Sequence, residues 1–399
     1  MSSPSGKNHS TARFETLAIH AGQEPDPTTG AVVPPIYQTS TYVQEQVGQH
    51  KGYEYSRTGN PTRTVLETCL AALEGYRLEQ PAYGLAFASG MAATDTLLRL
   101  VKAGEHVLTG NDVYGGTYRL FEQVLRPYGL DFSYVDMGDL QAVAAALRPN
   151  TRLIWLETPT NPLMKISDIA GVAGLARAHP NRPWLAVDNT FASPYLQRPL
   201  ALGADFVIHS TTKYLAGHSD VVGGGLVTTD AQAYARLKYL QNAVGAVPGP
   251  MDCFLTVRGI KTLGLRMQQH ARSGLAVAQF LAQHARVAQV LYPGLPAHPG
   301  YAVAARQMCS PDGSPAFGGM LSFLHRGGLE AARAMAARTR VFALAESLGG
   351  VESLIEHPGV MTHASVAGSP LEVPPNLIRL SVGVEATEDL IEDLEQALG

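Results

Sequence analysis

The sequence predicts an α/β fold: a large, mostly parallel sheet covered by helices on both faces, followed by a smaller C-terminal α/β domain. Three observations point there. Short apolar runs alternate with helical patterns from residue 62 to residue 257, the order of strand–helix units rather than of hairpins. The runs are apolar at successive positions instead of alternating, as strands buried on both faces are. The pattern then changes near Arg258, and a chain of 399 residues is long for one compact core.

Residues 1–13 are polar and rich in Ser, without the apolar centre of a signal peptide, and read as a disordered tail. Residues 14–61 are rich in Pro, Gly, Thr and Tyr with little periodicity. They read as an extended arm with few core positions, packing on a neighbouring subunit. The large domain then spans 62–257. It opens with a helix at Thr62–Glu74, where Val65, Leu66, Cys69, Leu70 and Leu73 share one face. Strands are expected at Leu85–Ala88, His106–Thr109, Phe132–Val135, Leu153–Glu157, Trp184–Val187, Phe206–His209 and Gly225–Thr228. The intervening helices include Ala92–Val101, Leu120–Tyr128, Leu140–Leu147 and Ile169–Ala178. In the small domain, 258–399, helices are expected at Leu265–His284 and Leu329–Arg338, with strands at Val287–Tyr292, Gly319–Leu324 and Leu377–Val382. A last helix opens with Thr387 as N-cap and two acids, Glu388 and Asp389, in its first turn.

Composition narrows the partners. A net charge of −4 gives no electrostatic footprint for nucleic acid or an anionic membrane. No apolar run is long enough to span a bilayer. Cys69, Cys253 and Cys309 lie far apart, without ligand spacing, and the histidines form no HExxH pattern, so no metal site is expected. Unpaired cysteines suit a reduced, cytoplasmic setting.

Candidate chemistry follows the strand patterns closely, at Ser89-Gly90, Asp112–Tyr114, Asn161, Asp188 and Lys213. Ligands of parallel sheets sit beyond the carboxyl ends of strands. In His209-Ser210-Thr211-Thr212-Lys213, a lysine stands among hydroxyls at the end of an apolar run, with Gly223-Gly224-Gly225 following. Such a lysine can hold pyridoxal 5′-phosphate as a Schiff base while Ser210 and Thr212 donate to the phosphate; alone, the segment also reads as a solvated loop. Ala88-Ser89-Gly90-Met91-Ala92 makes a strand–turn–helix junction whose free N–H groups suit an anion, or simply a tight turn. Asp188 ends an apolar strand, where a carboxylate needs a cationic partner such as a protonated pyridine nitrogen, unless it caps a helix. Tyr114, followed by Gly115-Gly116, can stack on a flat ligand or sit in an interface. Arg379 in Leu377–Val382 can clamp a carboxylate with its planar fork or face solvent.

Together these segments resemble the pyridoxal-phosphate-dependent enzymes of cysteine and methionine metabolism. The likeness runs from about Glu15 to Leu398. It rests on Tyr55-Ser56-Arg57-Thr58-Gly59-Asn60-Pro61-Thr62, Ser89–Ala93, Glu157-Thr158-Pro159-Thr160-Asn161-Pro162, Asp188-Asn189-Thr190, the Lys213 segment and Glu346-Ser347-Leu348-Gly349-Gly350. The resemblance implies the aminotransferase-like, fold type I architecture with a seven-stranded sheet. It implies that Lys213 holds the cofactor and shuttles protons, that Tyr114 stacks on the ring and aids the leaving group, and that Asp188 binds the pyridine nitrogen. Ser89, Gly90, Met91, Ser210 and Thr212 would hold the phosphate. Tyr55 and Arg57 would reach the cofactor of a neighbouring subunit within a homotetramer built from dimers. Asn161, Ser347 and Arg379 would seat the α-carboxylate of an amino-acid substrate, with Glu54, Tyr55 and Glu346 also at the substrate.

Within the family the likeness is greatest to enzymes that cleave L-cystathionine by γ-elimination to L-cysteine, 2-oxobutanoate and ammonia. Glu54 before Tyr55 follows the lyase pattern, Gly116 stands where methionine gamma-lyases carry cysteine, and Glu346 is an acid that O-acetylhomoserine sulfhydrylases lack. The alternative is γ-replacement, joining an O-acylhomoserine to cysteine; a non-catalytic binding protein on the same fold is a remote third. Residues 310–315 look like an added loop and residues 369–376 like a shortened, proline-rich lead-in to Arg379, which bears on substrate breadth.

Overall fold

The computed structural model describes residues 12–362 and 372–399. All but two residues of the expected tail, and the start of the 369–376 lead-in, lie outside the described residues.

The expected sheet is present. Seven strands, β1 (Tyr83–Phe87), β2 (His106–Gly110), β3 (Asp131–Val135), β4 (Thr151–Glu157), β5 (Trp184–Asp188), β6 (Phe206–Ser210) and β7 (Gly224–Thr228), lie in the order β1-β7-β6-β5-β4-β2-β3. From β3 to β6 all neighbours are parallel; β7 alone runs against both β6 and β1. Helical crossovers bury both faces. Leu97, Phe121, Trp155 and Leu237 pack on one side, and Ile154, Val172, Leu185 and Val187 belong to a separate core on the other. Because the parallel strands share one direction, Glu157, Asp188 and Ser210 end β4, β5 and β6 at the same edge. In this way the topology gathers residues dispersed over more than fifty positions of sequence.

The 14–61 arm departs from the extended reading at its root. Phe14–His20 is a helix with Phe14, Leu17 and Ala18 buried. Phe14 sets its ring edge-on to Tyr76 and Tyr195, with centroids 5.6 Å apart in each case. Two buried rings were enough to fold a segment too short for its period to be read. Most of residues 28–58 are exposed.

The Pro61–Glu74 helix is capped by Asn60, whose side chain accepts the N–H groups of Thr62 and Arg63. Its last residue, Glu74, is fully buried and bonds across to the sheet edge, accepting from Asn189 Nδ2 at 2.9 Å and meeting His209 Nε2 at 2.6 Å. Removing one partner of such a pair strands the other. Glu74→Ala is therefore expected to lower stability by about 3–5 kcal/mol, read as a lower urea midpoint; an unchanged midpoint would show that the pair adds nothing.

The second sheet contains β8 (Val287–Leu291), β9 (Met320–His325), β10 (Ala343–Leu344), β11 (Leu354–Glu356) and β12 (Leu377–Ser381), ordered β10-β11-β12-β9-β8. The two- and three-residue strands β10 and β11 have too little length to show a period, and the sequence did not reveal them. Two other expectations are corrected. The Leu120–Tyr128 helix is a wide π turn at Leu120–Leu125 continued by a 3-10 turn at Arg126–Tyr128, with Pro127 inside that turn. Thr387 is the first helical residue, not the cap: Ala386 holds the cap position, and the Thr387 hydroxyl bonds Ser273 Oγ at 2.9 Å instead. The Pro250–Ile260 helix runs through residue 258. We propose the division between the two units at Lys261–Thr262, since the next helix, Leu263–Gln283, packs Val277, Ala278 and Leu281 into the core of the second sheet.

Candidate active site

A cavity of about 320 Å³ opens at the carboxyl edge of the large sheet and is closed on one side by the second sheet's Arg379 and the 346–348 segment. It brings together Ser89, Gly90, Met91, Tyr114, Asn161, Asp188, Ser210, Thr212, Lys213, Glu346, Ser347 and Arg379. It does not bring in Glu54, Tyr55 or Arg57. Tyr55 is 45% exposed. The Arg57 guanidinium lies 5.6 Å from the Tyr55 ring centre and donates to the Asn242 carbonyl at 2.9 Å. None of residues 310–315 lines the cavity; they form a turn pinned by Ser310 Oγ and Ser314 N donating to Asp312 at 2.6 and 2.9 Å.

Lys213 follows β6 in a tight turn whose Thr211 N–H returns to the Gly223 carbonyl at 3.0 Å. Its Nζ donates to Ser347 Oγ at 2.7 Å. Burial, and after it the charge of Arg379, pushes its ammonium down to about 8. The neutral, nucleophilic amine is thus populated as pH rises through about 8. In cofactor-free protein, acetylation of Lys213 by acetic anhydride is expected to be half-maximal near pH 8, with exposed lysines following near about 10.4. Mass spectrometry of the labelled peptides reads both, and a Lys213 profile that tracks the surface lysines would remove the shift.

Arg379, on β12, is buried and held at both Nη atoms. Nη1 donates to Asn161 Oδ1 at 2.9 Å, Nη2 donates to the Ser347 carbonyl at 2.8 Å, and Glu356 Oε2 stands 3.0 Å from Nη2. Its Nε has no hydrogen-bond partner among the described residues. Ser347 adopts φ 89°, a conformation that costs a side-chain-bearing residue about 1–3 kcal/mol. That geometry lets one residue present its hydroxyl to Lys213 and its carbonyl to Arg379. The Tyr114 ring folds back over Gly116, where an added Cβ would lie 2.4 Å from Tyr114 Cε1. Glycine at 116 is required for the ring's position. Burial raises the Tyr114 phenol above its usual range, only partly offset by Arg119 and Arg379, so the protein alone does not supply the lowering that a phenolate would need.

The residues fit pyridoxal phosphate. The first two N–H groups of the Gly90–Leu98 helix, those of Gly90 and Met91, border the cavity without a partner among the described residues. Ser89 caps that helix, its Oγ accepting from Ala92 N at 3.0 Å, and lines the cavity with its hydroxyl hydrogen still able to donate to an anion. Ser210 and Thr212 add hydroxyls beside it, and a side chain at Gly90 would stand 3.0 Å from Ser210 Cα. Donors at a helix N-terminus suit a phosphate. Asp188 accepts the Thr190 N–H at 3.0 Å and has no ion pair among the described residues; burial raises its carboxyl above the usual range. A protonated ring nitrogen is the cation such a carboxylate needs. Among the described residues no group of three or more His, Cys, Asp or Glu could hold a metal ion, and no helix is long and apolar enough to cross a membrane.

Three residues escaped the sequence reading. Glu157 ends β4 as Asp188 ends β5, and the same argument about a carboxylate after an apolar run would have found it. Thr190 Oγ1 accepts the Ser210 N–H at 2.9 Å, tying β5 to the phosphate side. Glu356 left no signal, because its meaning comes from lying opposite Arg379 in the β11–β12 register.

The profile of the Cys/Met metabolism PLP-dependent enzymes matches residues 15–399. Cystathionine gamma-synthase of Mycobacterium tuberculosis is 58% identical over 386 residues, 96% of each chain. Cystathionine gamma-lyase of Sus scrofa is 51% identical over 389 residues, 96% of this chain and 93% of that one. The crystal structure of metB from Corynebacterium glutamicum superposes with a TM-score of 0.93 at 51% identity, covering 98% of both chains. Fold, cavity and relatives agree: the chain belongs to the pyridoxal-phosphate-dependent enzymes of cysteine and methionine metabolism.

Proposed function

We propose that this enzyme works on the Cγ–S bond of L-cystathionine. The observation that carries the reading is the placing of Glu346. It is an exposed acid on the cavity wall, directly before the Ser347 that touches both Lys213 and Arg379. An amino acid whose α-carboxylate sits on Arg379 would direct its far end towards that acid. Cystathionine carries a second ammonium group there.

Pyridoxal phosphate, when bound, supplies an electron-withdrawing ring that stabilises negative charge at the substrate's α carbon. Asp188 keeps the ring nitrogen protonated, and Gly90, Met91, Ser210 and Thr212 hold the phosphate. Arg379, steadied by Asn161 and Ser347, orients the α-carboxylate. Lys213 takes the Cα proton and moves a Cβ proton, with Ser347 Oγ keeping its amine near the cavity between transfers. Tyr114, protonated at neutral pH, delivers a proton to the departing group instead of acting as a base. Tyr55 and Arg57 complete the phosphate site of a neighbouring subunit, so a homotetramer, as a dimer of dimers, carries shared sites.

For direction we assign γ-replacement first: the Cγ–O bond of an O-acylhomoserine breaks, its acyloxy group leaves as a carboxylate, and the sulfur of cysteine bonds to Cγ with loss of the thiol proton. The 58% identical mycobacterial gamma-synthase supports it. γ-Elimination of cystathionine to cysteine, 2-oxobutanoate and ammonia is the second reading, favoured by Glu54 before Tyr55 and by the 51% identical gamma-lyase. One paired assay decides. Purified, cofactor-loaded protein receives either O-succinyl- or O-acetylhomoserine with cysteine, or cystathionine alone, and the products are quantified. Rapid cystathionine formation with slow cleavage is expected; the opposite ratio assigns cleavage, and inactivity in both arms overturns the substrate.

A further inference from the structure

Glu157 is 7% exposed at the last position of β4, in register with Asp188 on β5. No lysine or arginine pairs with it among the described residues. Its two oxygens serve different parts of the cavity wall: Oε2 accepts the Tyr114 N–H at 2.9 Å and Oε1 accepts the Asn161 N–H at 2.8 Å. Asn161 in turn offers Oδ1 to Arg379. A buried carboxylate costs several kcal/mol unless it is compensated, and burial together with the Asp188 charge raises this one well above the usual range. The two backbone N–H groups oppose that rise and favour the ionised form, which alone has two acceptor oxygens and no obligatory donor. Glutamine would turn an N–H₂ group against one of the two backbone N–H groups.

We propose that Glu157 is a positioning residue that clasps the Tyr114 loop and the Asn161 turn to the end of β4, so that ring and amide are fixed about the cofactor. The proposal rests on assigning Tyr114 to the cofactor ring. It needs no particular substrate, so its test uses cofactor binding alone and stands apart from the direction of the reaction.

The experiment is a double-mutant cycle with Glu157→Gln and Tyr114→Ala. Pyridoxal phosphate Kd is measured by equilibrium dialysis, and visible circular dichroism is measured per bound cofactor. Glu157→Gln is expected to raise Kd roughly tenfold, the scale of one lost hydrogen bond to a charged group, and to weaken the visible dichroic band. In the Tyr114→Ala background the same change should raise Kd by less than about twofold, because coupled residues are non-additive. Equal effects in both backgrounds, or a lower Tm with Kd and dichroism unchanged, would reduce Glu157 to a structural group. Tyr114→Ala that leaves both readouts unmoved overturns the ring assignment and the proposal with it. Glu157→Asp, which keeps the charge on a shorter stem that cannot span both N–H groups, gives the same cycle if the glutamine variant fails to fold.

Discussion

Lys213→Ala is expected to abolish turnover and the visible absorbance of the bound cofactor, with a loss of at least about 10³-fold in kcat. The size follows from the number of duties that meet at one nitrogen. In the proposed assignment Lys213 would hold the cofactor covalently and also serve as the base at the substrate's α carbon, because Nζ is 2.7 Å from a hydroxyl of the same residue whose carbonyl accepts from Arg379. Burial and Arg379 bring its pKa to about 8, so the free base is within reach at working pH, where an exposed lysine would be almost wholly charged. Lys213→Arg sharpens the test. It keeps a cation but supplies neither a nucleophile nor a base. Retained steady-state turnover in either variant sinks the assignment; retained phosphate-dependent cofactor affinity does not, because the Gly90–Met91 cradle and Asp188 are untouched.

How much of this was legible depended on where the information lay. The seven strands of the large sheet could be read because each is a run of apolar residues bounded by turn formers, and burial on both faces demands such a run. Lys213, Asp188 and Ser89-Gly90 could be read because a parallel sheet places the residue after each strand at one edge. Glu157 was open to the same argument, but its run ends in a longer motif that drew attention to Asn161. Glu356 was not open to it. A three-residue strand has no period, and the partner that gives the acid meaning lies 23 positions away on an antiparallel neighbour. The helix at the root of the arm was hidden for a related reason: Phe14 is held by Tyr76 and Tyr195, contacts that no window of local sequence contains.

Arg379→Ala is expected to cost both catalysis and folding, and the two costs can be separated. A charge-assisted contact of the guanidinium with the substrate's carboxylate, as proposed, would be worth about 2–4 kcal/mol, or roughly 30- to 1,000-fold in kcat/KM, falling mainly on KM. Independently, the substitution leaves Glu356 without its cation at 1% side-chain exposure, a loss of about 3–5 kcal/mol of stability. Burial already raises the Glu356 carboxyl, and Arg379 opposes that rise most, ahead of the Thr362 hydroxyl and Lys213. Without Arg379 the folded-state pKa moves further above the unfolded value. The stability of such a group is present at low pH and lost as pH climbs through the folded pKa. The deficit of Arg379→Ala relative to the parent should therefore be small near pH 5 and grow towards pH 8, as measured by urea denaturation of cofactor-free protein. Adding Glu356→Gln removes the stranded charge, so the double variant should recover most of the stability at pH 8 while kcat/KM stays low. If stability and activity return together, the ion pair serves the fold and the substrate's carboxylate binds elsewhere. If neither moves in Arg379→Ala, the Asn161–Arg379–Ser347 clamp has no role in this cavity.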